Sequence, residues 1–193
     1  MNKRKRITTP PRKMKSVFLI FCEGQTEEVY IDMLKQQYHS PIRIVSSVQG
    51  QNISKRIISS FQKNMQISNS DIVTTFLMYD IDVEELLPRL KACDAELLLS
   101  NPSIELWFLL HNKEQHAAIS TENVITLLQK SAPEWKNYRK AHLTDEQIRQ
   151  LWNNRLEAVK RAKALKEISN PSTGIYLLIE KLEESKQSSE PKS

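Results

Sequence analysis

The sequence predicts an α/β domain: a four-stranded, mainly parallel sheet flanked by helices, followed by an all-helical C-terminal part. Three observations predict it. Between residues 17 and 100, short apolar or β-branched runs alternate with amphipathic segments of helix length. Connections of that length join parallel strands by right-handed crossovers and so cover the sheet faces with helices. After Ser100 the strand signal stops, and helical periodicity takes over.

The run "VFLIFC" (17–22) is the first strand, and "TEEVYIDMLKQQY" (26–38) is the first helix, with Thr26 expected as its N-cap. "IRIVSSV" (42–48) is a β-branched second strand. In "NISKRIISSFQKNMQI" (52–67), Ile53, Ile57, Ile58, Phe61 and Met65 recur at helical spacing. "DIVTTFLMYDID" (71–82) is the third strand, "VEELLPRLKAC" (83–93) a short helix and "AELLLS" (95–100) the fourth strand. The helical part comprises "SIELWFLLHN" (103–112), "TENVITLLQKSA" (121–132), a long segment at 144–168 opened by a Thr144–Gln147 capping box, and "STGIYLLIEKL" (172–182). There is no internal repeat.

A chain of 193 residues suits one domain with a real core, expected over 17–184, with the α/β core at 17–112 and the helical part at 113–184. Hydrophobic residues at 39% and no apolar run of membrane length predict a soluble protein with no membrane association. With no secretory signal pattern at the N-terminus, the expected location is the cytoplasm. Cys22 and Cys93 form no framework of disulfides and no CxxC pair; Cys22 reads as a small core residue. The net charge of +5 is unevenly placed. Residues 1–16 hold seven Lys or Arg and no acid, which leaves the remainder at −2. An arm of this kind, with Lys3, Arg4, Lys5 and Arg6 at its centre, either holds phosphate backbone without reading sequence or only solubilises the chain. Residues 185–193 are polar and read as a disordered tail.

In an open parallel sheet, ligands bind at the carboxyl ends of the strands. Glu23 stands where the first strand ends, beside Gly24, which suits a tight turn. Asp80 and Asp82 end the third strand two residues apart, so in extended backbone they project to one side. Glu105 opens the helix after the fourth strand. Four carboxylates from three segments thus converge on one edge. At an effective dielectric near 20, such neighbours repel by about 3 to 4 kcal/mol per pair, so something neutralises them. A shared proton or a nearby Lys or Arg would do so; an all-oxygen set without His or Cys best suits Mg²⁺ or Mn²⁺. The chemistry that then follows is metal-assisted attack on a phosphodiester. Each acid also has a plainer explanation: Glu27, Glu28 and Glu105 fall in first helical turns, where the dipole favours them, and Asp80 and Asp82 sit where loop acids cap a following helix.

Taken in order, "CEGQTEEVY", "YDID", "SNPSIELWFLLH" and "NPSTGIYLLIEKL" resemble the RloB-like (RloB/AbiLii) abortive-infection family, over roughly Phe18 to Leu182. The resemblance implies a relation to the Toprim fold, in which a Glu after the first strand and a later DxD bind Mg²⁺. Carried over by motif, these are Glu23, Asp80 and Asp82; Glu27 matches the second acid of EGxTE, and Glu105 a later metal-binding Glu. It further implies a nuclease acting on DNA or RNA in anti-phage or restriction-associated defence, alongside an ABC/SMC-like ATPase. No P-loop is present in this chain, so an ATP-driven step belongs elsewhere. Ile104 and Val83 depart from the residues common at their positions, and Val83 weakens the case for a second metal. The alternative is a non-catalytic module that binds nucleic acid or regulates the ATPase. A third reading, primase-like nucleotidyl transfer, lacks a recognisable triphosphate site.

The four histidines lack metal-ligand spacing and read as surface or structural residues. The cations of the long helix form no stripe and read as a solvated face, except that Arg155 lies within the phase of Ile148, Trp152 and Val159 and is a candidate to point toward the acidic edge as a phosphate contact. Arg139 and Lys140, in "NYRKAH", are loop candidates for phosphate contact. Trp107, Trp135 and Trp152 read as core.

Overall fold

Ser16–Cys22 forms β1, and six of its seven residues are buried. A strand buried on both faces carries no polar alternation, which is why "VFLIFC" is continuously apolar. The computed structural model describes residues 16–38, 42–65, 67, 71–81 and 85–189. The further strands are β2 (Arg43–Val48), β3 (Ile72–Asp80), β4 (Glu96–Asn101) and β5 (Ser172–Thr173). The helices are α1 (Gln25–Tyr38), α2 (Lys55–Asn64), α3 (Leu86–Lys91), α4 (Ile104–Leu110), α5 (Thr121–Ser131), α6 (Asp145–Lys163) and α7 (Tyr176–Ser189).

The sheet order is β2-β1-β3-β4-β5, with the first four strands parallel and β5 antiparallel to β4. In register, Cys22 lies beside Val48 and Met78, and Asp80 lies beside Ser100. Alternate residues feed two cores, as the two-residue period of a strand requires. Phe18, Ile20, Cys22, Phe76, Met78 and Leu98 pack on the side covered by α1 and by the helices α4 to α7. Leu19, Phe21, Leu77, Tyr79 and Leu99 face α2 and α3 through Ile58, Leu86 and Leu90. The helical C-terminal part is therefore the cover of one sheet face. Among the described residues no helix is long and apolar enough to cross a membrane.

The α/β architecture stands as read from the sequence, with local differences. A fifth strand joins the expected four: Ser172 and Thr173, read as the start of the last helix, pair with Asn101 and Ser100 instead. Gly174 N–H continues the pairing to Leu99 O at 2.7 Å. The backbones pass so closely there that a Cβ on Gly174 would lie 3.3 Å from both Leu97 O and Leu99 N, which only glycine avoids. Thr26 does not cap α1, which begins at Gln25; its hydroxyl accepts from Ala141 N–H instead. The second helix starts later than its apolar pattern, after a 3-10 turn at Gly50–Asn52, with Ser54 as its N-cap. The capping box of Thr144 and Gln147 is present, and α6 ends at Lys163 rather than at 168. Helix α7 continues past 184 to Ser189.

Candidate functional site

The crossover through α1 carries the chain from β1 to β2, and the crossover through α2 carries it back past β1 to β3 on the opposite side. The two helices cover opposite faces. A crevice therefore opens between the carboxyl ends of β1 and β3, the topological switch point where open α/β sheets bind ligands. Glu23 follows β1 directly, and Asp80 is the last residue of β3. Glu23 N–H donates to Met78 O at 3.0 Å, which extends the pairing of the two strands by one residue. Glu23 Oε2 then accepts the backbone N–H of Asp80 at 2.9 Å. Both side chains are half-buried.

Asp80 lies in phase with Phe76 and Met78, toward the face covered by α1 and α4. Those helices supply Glu27 and Glu105. Glu27, 5% exposed, accepts Gly24 N–H on Oε2 at 3.0 Å and so closes the entry to α1 with its own carboxylate. Glu105 is fully buried and has three partners. Ser103 Oγ donates to its Oε2 at 2.6 Å, Tyr138 hydroxyl donates to its Oε1 at 3.1 Å, and Lys140 Nζ stands 3.6 Å from the same Oε1. Lys140 comes from the loop after α5. Ala141, at φ 58°, and the bridge between Arg139 and His142 shape that loop, and the Ala141 N–H bond to Thr26 ties it to α1.

The four acids act on one another. Burial, followed by the charges of Glu27, Glu105 and Glu23, pushes the Asp80 carboxyl up to about 9, with Lys140 pulling the other way. Burial also raises Glu27. Its backbone hydrogen bonds oppose the rise, and Glu23 and Glu105 add to it. The Tyr138 phenol is held protonated by burial and by Glu105, so it donates to that carboxylate. Burial first and the neighbouring carboxylates second disfavour an ionised Asp80, and a cation would offset both.

The structure brings together Glu23, Glu27, Asp80 and Glu105, and sets Lys140 among them. Asp82 and the arm residues Lys3, Arg4, Lys5 and Arg6 lie outside the described residues. Arg139 is exposed on the same loop as Lys140. Arg155 is turned to α7: its Nε donates to Glu183 Oε1 at 2.6 Å, and its guanidinium stacks 3.9 Å over the Trp152 ring. Glu183 also accepts from Tyr38 at 2.8 Å, so this arginine is taken up in packing α6 against α1 and α7. Among the described residues, no three or more His, Cys, Asp or Glu side chains stand close enough to hold a metal ion as they are placed. In donor chemistry the set does fit one: every ligand would be a carboxylate oxygen, the type hard divalent cations take. Sequence reasoning missed Ser103 and Tyr138. A serine two residues before a helical glutamate is a usable signal, whereas Tyr138 meets Glu105 only through the tertiary fold.

Trp107 and Trp135 are fully buried, as expected. Cys22 is a core residue whose thiol burial pushes up, which removes it as a nucleophile.

No curated protein and no solved structure matches the chain. The family model described as RloB-like protein matches residues 18–182, from within β1 into α7 and so across every element that builds the carboxylate edge. The chain is a member of the RloB-like protein family.

Proposed function

We propose that the protein is a Mg²⁺- or Mn²⁺-dependent nuclease of the Toprim type that hydrolyses nucleic-acid phosphodiesters. The observation that carries this reading is the convergence of Glu23, Glu27, Asp80 and Glu105 on the β1/β3 switch point, with Asp80 pushed up to about 9 by its buried and like-charged surroundings. Like-charged carboxylates gathered in one crevice do not help folding, so their concentration there supports a bound cation as their counter-charge.

Glu23 and Asp80 would hold the ion, joined by Asp82 and Glu105. A bound divalent ion supplies a Lewis acid for a phosphoryl oxygen and a water more easily deprotonated than in bulk. Glu27 would serve as the general base for such a water, since the raised proton affinity that burial gives it suits that role better than an ordinary surface glutamate would. Ser103 and Tyr138 fix the Glu105 carboxylate in one orientation. Lys140, more than half exposed, is free to leave Glu105 and meet a phosphate oxygen. The defence setting and the ABC/SMC-like ATPase partner rest on membership of the RloB-like family and on the absence of a P-loop in this chain.

One observation favours the non-catalytic alternative, a module that binds nucleic acid or regulates its ATPase. Glu105 already has three protein partners, the arrangement of a structural carboxylate. Labelled DNA and RNA incubated with Mg²⁺ or Mn²⁺, with and without the ATPase, separate the two readings. Cleavage that is lost in Asp80→Asn and Glu23→Gln supports the nuclease. Binding without cleavage under every condition, unaffected by those substitutions, leaves the module.

A further inference from the structure

A polyanion approaching the carboxylate edge meets negative charge, so a nuclease with this site needs cations beside it to hold the strand. Lys140 and Arg139 lie on the α1/α4 side. On the opposite sheet face the start of α2 and helix α3 enclose an open cleft of about 350 Å³, lined by Ile53, Ser54, Lys55, Arg89, Ala92 and Cys93. Ile53 and Cys93 form its buried floor, and Lys55 and Arg89 are exposed. Both cations act on the Cys93 thiol, lowering its proton affinity against the larger effect of burial, which places them together over that floor. Neither makes an ion pair among the described residues, and no carboxylate among those residues lines the cleft. The acids nearest in sequence among the described residues, Glu85 and Asp94, do not line it either. Two exposed cations beside one apolar floor are an arrangement that an anion could bridge.

Tyr79 shares a core cluster with the cleft residues Ile53 and Cys93 and reaches from there toward the turn after β2. The Tyr79 hydroxyl donates to Gly50 O at 2.9 Å, and Gly50 sits against Glu23, whose carbonyl oxygen lies 4.0 Å from where a Cβ on Gly50 would be. Beyond the main effect of burial, the same phenol is influenced by the Glu23 charge and, in the opposite sense, by Arg89.

We propose that this cleft is a phosphate subsite, in which Lys55 and Arg89 hold the backbone of the nucleic-acid strand whose scissile bond lies at the Glu23–Asp80 edge. The placement rests on the nuclease reading for what happens at that edge; the binding role does not. It assigns the substrate a path from the α2/α3 side across the crevice to the loop that carries Lys140. Contacts to phosphate position the strand and read no sequence.

The test is binding of fluorescently labelled single- and double-stranded DNA and RNA by the full chain in EDTA, across a salt series. Lys55→Glu with Arg89→Glu is compared with the charge-matched pair Lys63→Glu with Lys113→Glu, in the last turn of α2 and in the loop after α4. Loss of two phosphate contacts lowers affinity at least tenfold and reduces the slope of log affinity against log salt by about 1.4 on single strands to about 1.8 on duplex, while the control pair changes affinity less than threefold. The neutral pair Lys55→Gln with Arg89→Gln gives an intermediate loss, and an unchanged melting temperature certifies each fold. A cleft variant that binds like the control, or a wild-type protein that binds no nucleic acid, overturns the proposal. If binding depends on Lys55 and Arg89 but the wild type never cleaves, the subsite stands and the nuclease reading fails. Cleavage that persists with unchanged affinity in the cleft variant removes the subsite alone.

Discussion

The backbone N–H of Asp80 donates to the carboxylate of Glu23 at 2.9 Å, so one hydrogen bond fixes the acid after β1 against the acid that ends β3. This bond sets a negatively charged oxygen beside a second carboxyl at the one place in the sheet where the crossover helices part. The geometry is unfavourable for the fold alone, and a bound cation would relieve it.

Asp80→Asn should stabilise the metal-free protein. Folding raises the Asp80 carboxyl from 3.8 to about 9, so between those values the folded state binds more protons than the unfolded chain, and stability falls as pH rises. The contribution is fully favourable below pH 3.8 and is lost progressively up to about pH 9. Asparagine does not titrate. Its advantage should be near zero at pH 4 and reach roughly 3 to 6 °C in melting temperature at pH 8. Scanning calorimetry of both proteins across pH checks this; a variant less stable than wild type at pH 8 would refute it.

Tyr138→Phe leaves a buried acceptor on Glu105 short of one donor and should cost about 1 to 2 kcal/mol. The loss is tied to the charge. In Glu105→Gln the same tyrosine deletion should cost less than half as much, a coupling that a double-mutant cycle in urea measures directly. Equal costs in both backgrounds would show that Tyr138 contributes through packing alone.

His111 gives the acid side of the stability profile. It is buried, its Nδ1–H donates to Trp107 O at 2.8 Å, and burial, with Arg161 adding to it, pushes it down to about 4. Among the described residues, neither His111 Nε2 nor Arg161 Nε has a hydrogen-bond partner. A histidine depressed from 6.5 to about 4 stabilises the fold fully above pH 6.5, and this is lost as pH falls through that window. His111→Asn keeps a donor for Trp107 and removes the titration. Wild type should lose on the order of 2 to 3 kcal/mol between pH 6.5 and 4 that the variant does not lose, measured relative to each protein at pH 7.

The sheet and the carboxylates at its edge were largely legible because they are written in local periods. A fully apolar run that stops at Glu23, and a β-branched run that ends in Asp80, mark strand ends whatever packs beyond them. The capping box of Thr144 and Gln147 is local in the same way. What escaped depends on distant partners. Ser172 and Thr173 form a strand only because β4 offers them an edge. Thr26 resembles an N-cap in sequence, but Glu27 reaches back to Gly24 and frees the hydroxyl for Ala141. The phase of Arg155 placed it on the packed side of α6, but phase does not say which neighbour stands opposite, and Glu183 of α7 does. Tyr138 and Lys140 reach Glu105 from a loop with no period to betray them.

The central claim is that the carboxylate edge holds a divalent cation, and calorimetric titration of Mn²⁺ into the full chain tests it most directly. Saturable binding by the wild type, weakened at least tenfold in Glu23→Gln and in Asp80→Asn, is the predicted result. Absence of binding in the wild type, or equal affinity in all three proteins, would contradict it.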